Sequence, residues 1–128
     1  MSRFKNEIAV LLDKAFTADE KGCKAQVSFG REFIGFSGHF PKAPVLPGIV
    51  MIQLAVMMSE RATAESLQLA CIKEAKFTEP VLPQEKITVS LQTPEKTENG
   101  VTAKAVFFKQ DKTAARVSLL LETDRKEP

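Results

Sequence analysis

Hydrophobic and polar residues alternate along several short segments of the chain. In residues 23–29 (CKAQVSF) single polar side chains separate small or apolar ones, and residues 87–92 (ITVSLQ) repeat the pattern. A period of two places one row of side chains on the buried face of a β-sheet. Such segments predict six strands, at residues 10–17, 23–29, 67–78, 87–93, 101–109 and 114–122. Polar turns at residues 98–100 (ENG) and 110–112 (QDK) predict hairpins between the last three strands.

A different pattern predicts one helix between the second and third strands. Residues 49 to about 64 (IVMIQLAVMMSERATA) are mostly good helix formers, and the first ten are apolar on all sides except at Gln53. A helix that is apolar all round is buried, and Pro47 ahead of Gly48 suits its start. The sequence therefore predicts an α+β fold in which an antiparallel sheet wraps around one long central helix. The free face and edges of that sheet favour a dimer.

Length and charge narrow the class of protein. The 128 residues suit a single domain spanning 1–128, and the net charge of +2 comes from interspersed acids and bases, which indicates no nucleic-acid surface. The chain has no apolar run of the roughly 18 residues that span a bilayer, and its first residues do not form a signal peptide. Cys23 and Cys71 lack metal-ligand spacing, so we expect two buried free thiols in a reducing compartment. These features favour a cytoplasmic protein that binds neither nucleic acid nor membrane.

The single histidine, His39, lies in a segment rich in proline and glycine directly before the predicted helix. We expect its ring to lie beside the helix N-terminus, where unpaired N–H groups and the positive end of the helix dipole meet. A neutral imidazole there can remove a proton from the carbon next to a carbonyl, while the N–H groups hold the enolate oxygen. In most other settings a lone histidine is structural, so this interpretation depends on where His39 stands.

Residues 38–48 (GHFPKAPVLPG) resemble the active-site signature of the 3-hydroxyacyl-acyl carrier protein dehydratases of the FabA/FabZ type. Residues 10–14 (VLLDK) are similar to that family's first strand, and residues 75–83 (AKFTEPVLP) to the strand and turn after its helix. The resemblance covers residues 10–122. It implies a hotdog fold, a dimer with two sites at its interface and an acyl chain in a tunnel beside the helix, with no metal or organic cofactor.

The same resemblance implies roles for individual residues. His39 matches the catalytic histidine, and Gly48 matches the glycine whose N–H binds the thioester carbonyl. The residues that would shape the substrate pocket are Phe40, Val45, Leu46 and Pro47. The alternatives are a simple turn glycine at position 48 and plain core packing for the pocket residues.

The chain departs from the family at two places. The family has Glu or Asp fourteen residues after the histidine, where this chain has Gln53. An amide has no titratable proton for the leaving 3-hydroxyl, and general acid catalysis contributes about 10²- to 10⁴-fold, so dehydration should be weakened. Gln53 can still hydrogen-bond the hydroxyl or a water, or it merely fills a buried position. Two other carboxylates are weak substitutes for the missing acid: Glu60, which we expect to be a solvated helix-end residue, and Glu32, a loop residue. The second departure is that residues 1–9 lack the family's Leu-Pro-His-Arg-like segment.

Three functions follow from these residues. The first is elimination of water from a (3R)-3-hydroxyacyl thioester, on acyl carrier protein or CoA, giving the trans-2-enoyl thioester in fatty-acid or related acyl-chain biosynthesis. The second is thioester hydrolysis. The third is a non-catalytic acyl-binding subunit, or a heterodimer partner that combines His39 with a carboxylate of another chain. For the first function we expect a homodimer or higher homo-oligomer.

Overall fold

The computed structural model describes residues 3–30, 32–33 and 45–123. Within these ranges the chain forms two helices and one seven-stranded sheet. The elements are α1 (Arg3–Ala15), β1 (Thr17–Asp19), β2 (Gly22–Ser28), α2 (Gly48–Thr63), β3 (Leu67–Phe77), β4 (Lys86–Gln92), β5 (Glu95–Thr97), β6 (Gly100–Lys109) and β7 (Lys112–Thr123).

The strands pair antiparallel in the order β1-β2-β4-β6-β7-β3, and β5 also pairs with β6. Both predicted hairpins are confirmed: Thr97 faces Gly100 across the first turn, and Lys109 faces Lys112 across the second. The short strand β5 was not predicted, because three exposed residues carry no alternation.

Helix α2 lies against one face of the sheet, and its apolar side chains form the centre of the core. The buried residues of the helix are Val50, Met51, Ile52, Leu54, Ala55, Val56, Met57, Met58 and Ser59. On the sheet, alternate residues of β4 complete this core, since Ile87, Val89 and Leu91 are at most 1% exposed. Each such side chain contributes about 1.5–3 kcal/mol through its burial. The predicted antiparallel sheet around a central helix is confirmed, and no helix in the described ranges has the length and apolar character needed to cross a membrane.

The predicted first strand at residues 10–17 is wrong, because most of that segment belongs to helix α1. Ile8 and Leu12, four residues apart, are both fully buried, whereas Val10 between them is 54% exposed. That spacing is helical. Arg61 on α2 holds the helix in place: its Nη2 lies 2.7 Å from Oδ1 of Asp13.

Strand β3 forms one edge of the sheet, and ten of its eleven residues are exposed. They include three apolar side chains, Leu69 (37% exposed), Ile72 (43%) and Phe77 (46%). Two bulges interrupt its pairing with β7, between Leu69 and Cys71 and between Ile72 and Glu74. The strand therefore presents an apolar edge with no neighbour in the described chain.

The two cysteines lie in different surroundings. Cys23 is buried as expected, and this burial, with the nearby charge of Asp19, raises the pKa of its thiol to about 11. The expectation of a second buried thiol is wrong, because Cys71 is exposed on the edge strand. A strand-like sequence alone does not bury a side chain where the sheet ends.

Candidate active site

The start of α2 leaves backbone donors available. Pro47 occupies the N-cap position with φ −65° and ψ 148°, and it supplies no side-chain cap. Its carbonyl accepts a hydrogen bond of 3.0 Å from the Val50 N–H. Among the described residues, the N–H groups of Gly48 and Ile49 have no acceptor. Free amides at the positive end of a helix suit a developing negative charge.

An open cleft of about 440 Å³ lies at this end of the helix, and Gly48 is one of its lining residues. Its walls are residues 45–48, Met51 and residues 77–81. The structure therefore brings Val45, Leu46, Pro47 and Gly48 together at one cleft. Leu46 also belongs to the core, at 3% exposed, while the other three are half-buried. That these residues bind substrate stays a prediction.

His39 and Phe40 lie outside the described residues. In the sequence, His39 stands nine residues before Gly48. Its role as the base therefore also stays a prediction.

The turn after β3 forms one wall of the cleft, and hydrogen bonds connect it to the segment ahead of α2 and to β6. The N–H of Leu46 donates to the carbonyl of Val81 over 2.7 Å, so the segment entering the helix is held against the turn after β3. Nζ of Lys109 donates to the carbonyl of Pro80 over 2.8 Å and anchors the same turn to β6. These contacts fix the backbone directly ahead of Gly48 against the turn after β3.

The end of this turn contains a paired carboxylate, Glu85. Its Oε1 accepts the Leu82 N–H over 2.7 Å and lies 3.0 Å from Nζ of Lys109. Partial burial raises the pKa of Glu85, but the hydrogen bond from Leu82 and the hydrogen bond and charge of Lys109 outweigh it, so the net pKa lies below the ordinary value. Glu85 therefore stabilises the turn as an anion.

Gln53 does not line the cleft of its own chain. It follows Gly48 by five residues, which turns it about 140° around the helix axis. It shares a helix face with Ile49, which is 60% exposed. Its side chain is half-buried and makes no hydrogen bond to a described residue, so the amide is free to meet a ligand or a second chain.

The two alternative carboxylates are placed elsewhere. Glu60 was expected to be a solvated helix-end residue, but this is wrong. It is half-buried, and its Oε2 accepts a hydrogen bond from the Leu67 N–H over 3.0 Å. Glu32 lines a separate cleft beside α1, together with Phe29 and Phe33. Neither lines the cleft at Gly48.

Phe77 and Glu79 are among the cleft residues that the sequence analysis missed. The ring of Phe77 lies against Gly48, and Glu79, a half-buried residue, lines the same wall. Both belong to residues 75–83, the segment similar to the strand and turn after the helix in FabA/FabZ-type dehydratases. That similarity was the only signal for them, because their distance from Gly48 depends on how β3 pairs with β7.

Comparison with known proteins identifies relatives over most of the chain. The family model for ApeI-like proteins, described as ApeI dehydratase, matches residues 15–118. The 3-hydroxyacyl-[acyl-carrier-protein] dehydratase FabZ of Fusobacterium nucleatum is 30% identical over 119 residues, covering 85% of this chain and 82% of the relative. The predicted resemblance to FabZ-type dehydratases is thus confirmed over most of the chain.

Solved structures support the fold. The dehydratase heterocomplex ApeI:P from Xenorhabdus doucetiae has a TM-score of 0.66 at 21% identity, covering 80% of this chain and 88% of that one. The PaaI protein of E. coli, from the phenylacetic acid degradation operon, has a TM-score of 0.65 at 12% identity, covering 93% and 92%. With the antiparallel sheet and central helix described above, these similarities confirm the predicted α+β hotdog fold.

Proposed function

Because the chain belongs to the ApeI-like dehydratase family, we propose that it eliminates water from a (3R)-3-hydroxyacyl thioester of acyl carrier protein in the cytoplasm. The product is the trans-2-enoyl thioester. The observation that carries this proposal is the cleft at the start of α2, where the free N–H of Gly48 follows the segment containing His39. Membership of a dehydratase family favours elimination over hydrolysis of the thioester.

In the proposed mechanism, the thioester carbonyl accepts a hydrogen bond from the Gly48 N–H. His39 removes the proton from C2, and the negative charge that develops on the carbonyl oxygen is stabilised by that donor and by the helix dipole. Loss of one such donor typically lowers kcat about 10²- to 10³-fold. The bond between C3 and oxygen then breaks, the C2–C3 double bond forms, and the hydroxyl leaves as water.

We also propose that two copies of the chain pair through the β3 edges. The edge strand has unpaired backbone groups and half-exposed apolar side chains at Leu69, Ile72 and Phe77, which a second copy would cover. Gln53, which is half-buried, shares a face of α2 with Ile49, which is 60% exposed. In such a homodimer Gln53 would serve the site of the other protomer rather than its own.

A second candidate is a heterocomplex in which a related chain supplies a carboxylate opposite His39. Gln53 favours it, since an amide stands where the family has an acid and makes no hydrogen bond in the described chain. One of the solved relatives is itself a dehydratase heterocomplex. Co-expression with a carboxylate-bearing hotdog chain would then raise activity well above that of this chain alone, whereas a fully active homodimer excludes the alternative.

The test of the leading proposal follows enoyl product from a short 3-hydroxyacyl thioester of acyl carrier protein. Wild type, His39→Ala and Gln53→Glu are compared. The first substitution should abolish turnover, and the second should raise it, because a carboxylic acid can protonate the leaving hydroxyl. If His39→Ala equals wild type, the mechanism is wrong.

A further inference from the structure

The cleft in front of α2 is lined by a single ionisable side chain among the described residues, Glu79. We propose that Glu79 is a catalytic acid, which protonates the leaving 3-hydroxyl in a site where the family's acid position holds Gln53. The inference rests on the proposed function and adds a residue to it.

The backbone at Glu79 is fixed to the neighbouring strand β7. The N–H groups of Thr78 and Glu79 both donate to the carbonyl of Ala114, over 2.8 and 3.2 Å. The Thr78 hydroxyl donates to the carbonyl of Thr113 over 2.8 Å. Because three hydrogen bonds hold this short segment, the side chain of Glu79 starts from a defined position on the cleft wall.

The carboxylate of Glu79 is also free to act. Glu79 is half-buried as a residue, and in the described part of the chain its carboxylate forms no ion pair and no hydrogen bond. Glu85 and Glu60 differ in this respect, since their oxygens accept the Leu82 and Leu67 N–H groups. The Glu79 carboxylate is therefore available to hydrogen-bond a substrate hydroxyl in the cleft.

The proposed step balances with the groups present. His39 takes the C2 proton, the electron pair of that C–H bond forms the C2–C3 double bond, and the C3–O bond breaks. Protonated Glu79 gives its proton to the departing oxygen, so that water leaves and Glu79 becomes a carboxylate. The proton on His39 returns to Glu79 through water, which restores both groups for the next turnover.

The experiment separates removal of the C2 proton from departure of the hydroxyl. Glu79→Gln should lower kcat for enoyl formation about 10²-fold. The same variant should still exchange the C2 proton of the substrate with deuterated water, because His39 is intact. Adding Gln53→Glu to this variant should then raise its kcat at least about tenfold. The matched control is Glu98→Gln, a substitution at an exposed residue between β5 and β6, outside both the cleft and strand β3, which should behave as wild type.

The outcomes distinguish this inference from the function on which it rests. A wild-type protein that forms no enoyl product refutes the proposed function. An active wild type with an equally active Glu79→Gln variant refutes only the acid. If Glu79→Gln loses proton exchange together with elimination, Glu79 supports the base or the fold instead of the leaving group, and the assignment is overturned.

Discussion

The ring of Phe77 on the edge strand rests on Gly48 at the start of the central helix. A Cβ added to Gly48 would lie 2.7 Å from Cζ of that ring and 3.0 Å from Cε2. Glycine at this position therefore leaves room for an aromatic side chain beside the amide that faces the cleft. The contact links the donor of the proposed site to the end of β3, two residues before Glu79.

Gly48→Ala should lower kcat/KM although alanine keeps the backbone N–H. The new methyl group meets the end of the Phe77 ring, and the displaced ring enters the cleft. Phe77→Leu should relieve the clash, so the double variant should recover. We expect a coupling of about 1 kcal/mol, or about fivefold in kcat/KM, from a double-mutant cycle. Effects that simply multiply would show that the ring and the glycine act independently.

Glu85→Gln should make stability less dependent on pH. The folded-state pKa of Glu85 lies below its ordinary value of 4.5, so its contribution is present above 4.5 and is lost as pH falls through the lower folded value. At neutral pH the substitution should cost about 1 kcal/mol of unfolding free energy, since it removes a partly exposed charge pair with Lys109.

Urea unfolding of wild type and Glu85→Gln across the acidic range measures this directly. The difference between the two proteins should shrink as the pH falls. Glu98→Gln, a change at an exposed carboxylate, should leave the curve unchanged. A constant difference between wild type and Glu85→Gln at every pH would contradict the assigned ion pair.

Ile72→Lys should weaken the proposed homodimer. The isoleucine is 43% exposed on the free edge strand, so lysine is tolerated in the isolated chain but places a charge in a buried contact when two edges meet. We expect the dissociation constant to rise at least about tenfold, as measured by light scattering over a dilution series. Leu82→Lys alters a side chain of similar exposure (41%) away from that edge and should leave the mass unchanged. If Ile72→Lys and wild type have the same light-scattering mass at every dilution, pairing through β3 is excluded.

The sequence predicted the central helix and five of the strands, because their patterns leave little ambiguity. Residues 49–58 are apolar on nearly all sides, and residues 87–92 alternate strictly. The error at residues 10–17 has a physical cause: a short apolar run is equally compatible with a strand and with a helix. Only the burial of Ile8 and Leu12, and the exposure of Val10, distinguish the two.

The site was predictable where it is continuous in sequence, and not where it depends on pairing between distant strands. Residues 45–48 were identified from one motif and do lie together at one cleft. Phe77 reaches Gly48 because it stands opposite Ala115 in the register of β3 and β7, a relation that no local pattern contains. The position of Glu79 on the cleft wall depends on the same register, because its N–H donates to the carbonyl of Ala114.

The two bulges in β3 have a consequence for aggregation. An open, flat strand edge offers a template on which partly unfolded chains can add one after another into fibrils. Each bulge bends the strand and increases its local twist, and the register shifts on both sides of Ile72 place two such distortions within a few residues. Successive strands of a growing fibril would have to copy that irregular path, so the distorted edge protects the protein from polymerising into amyloid.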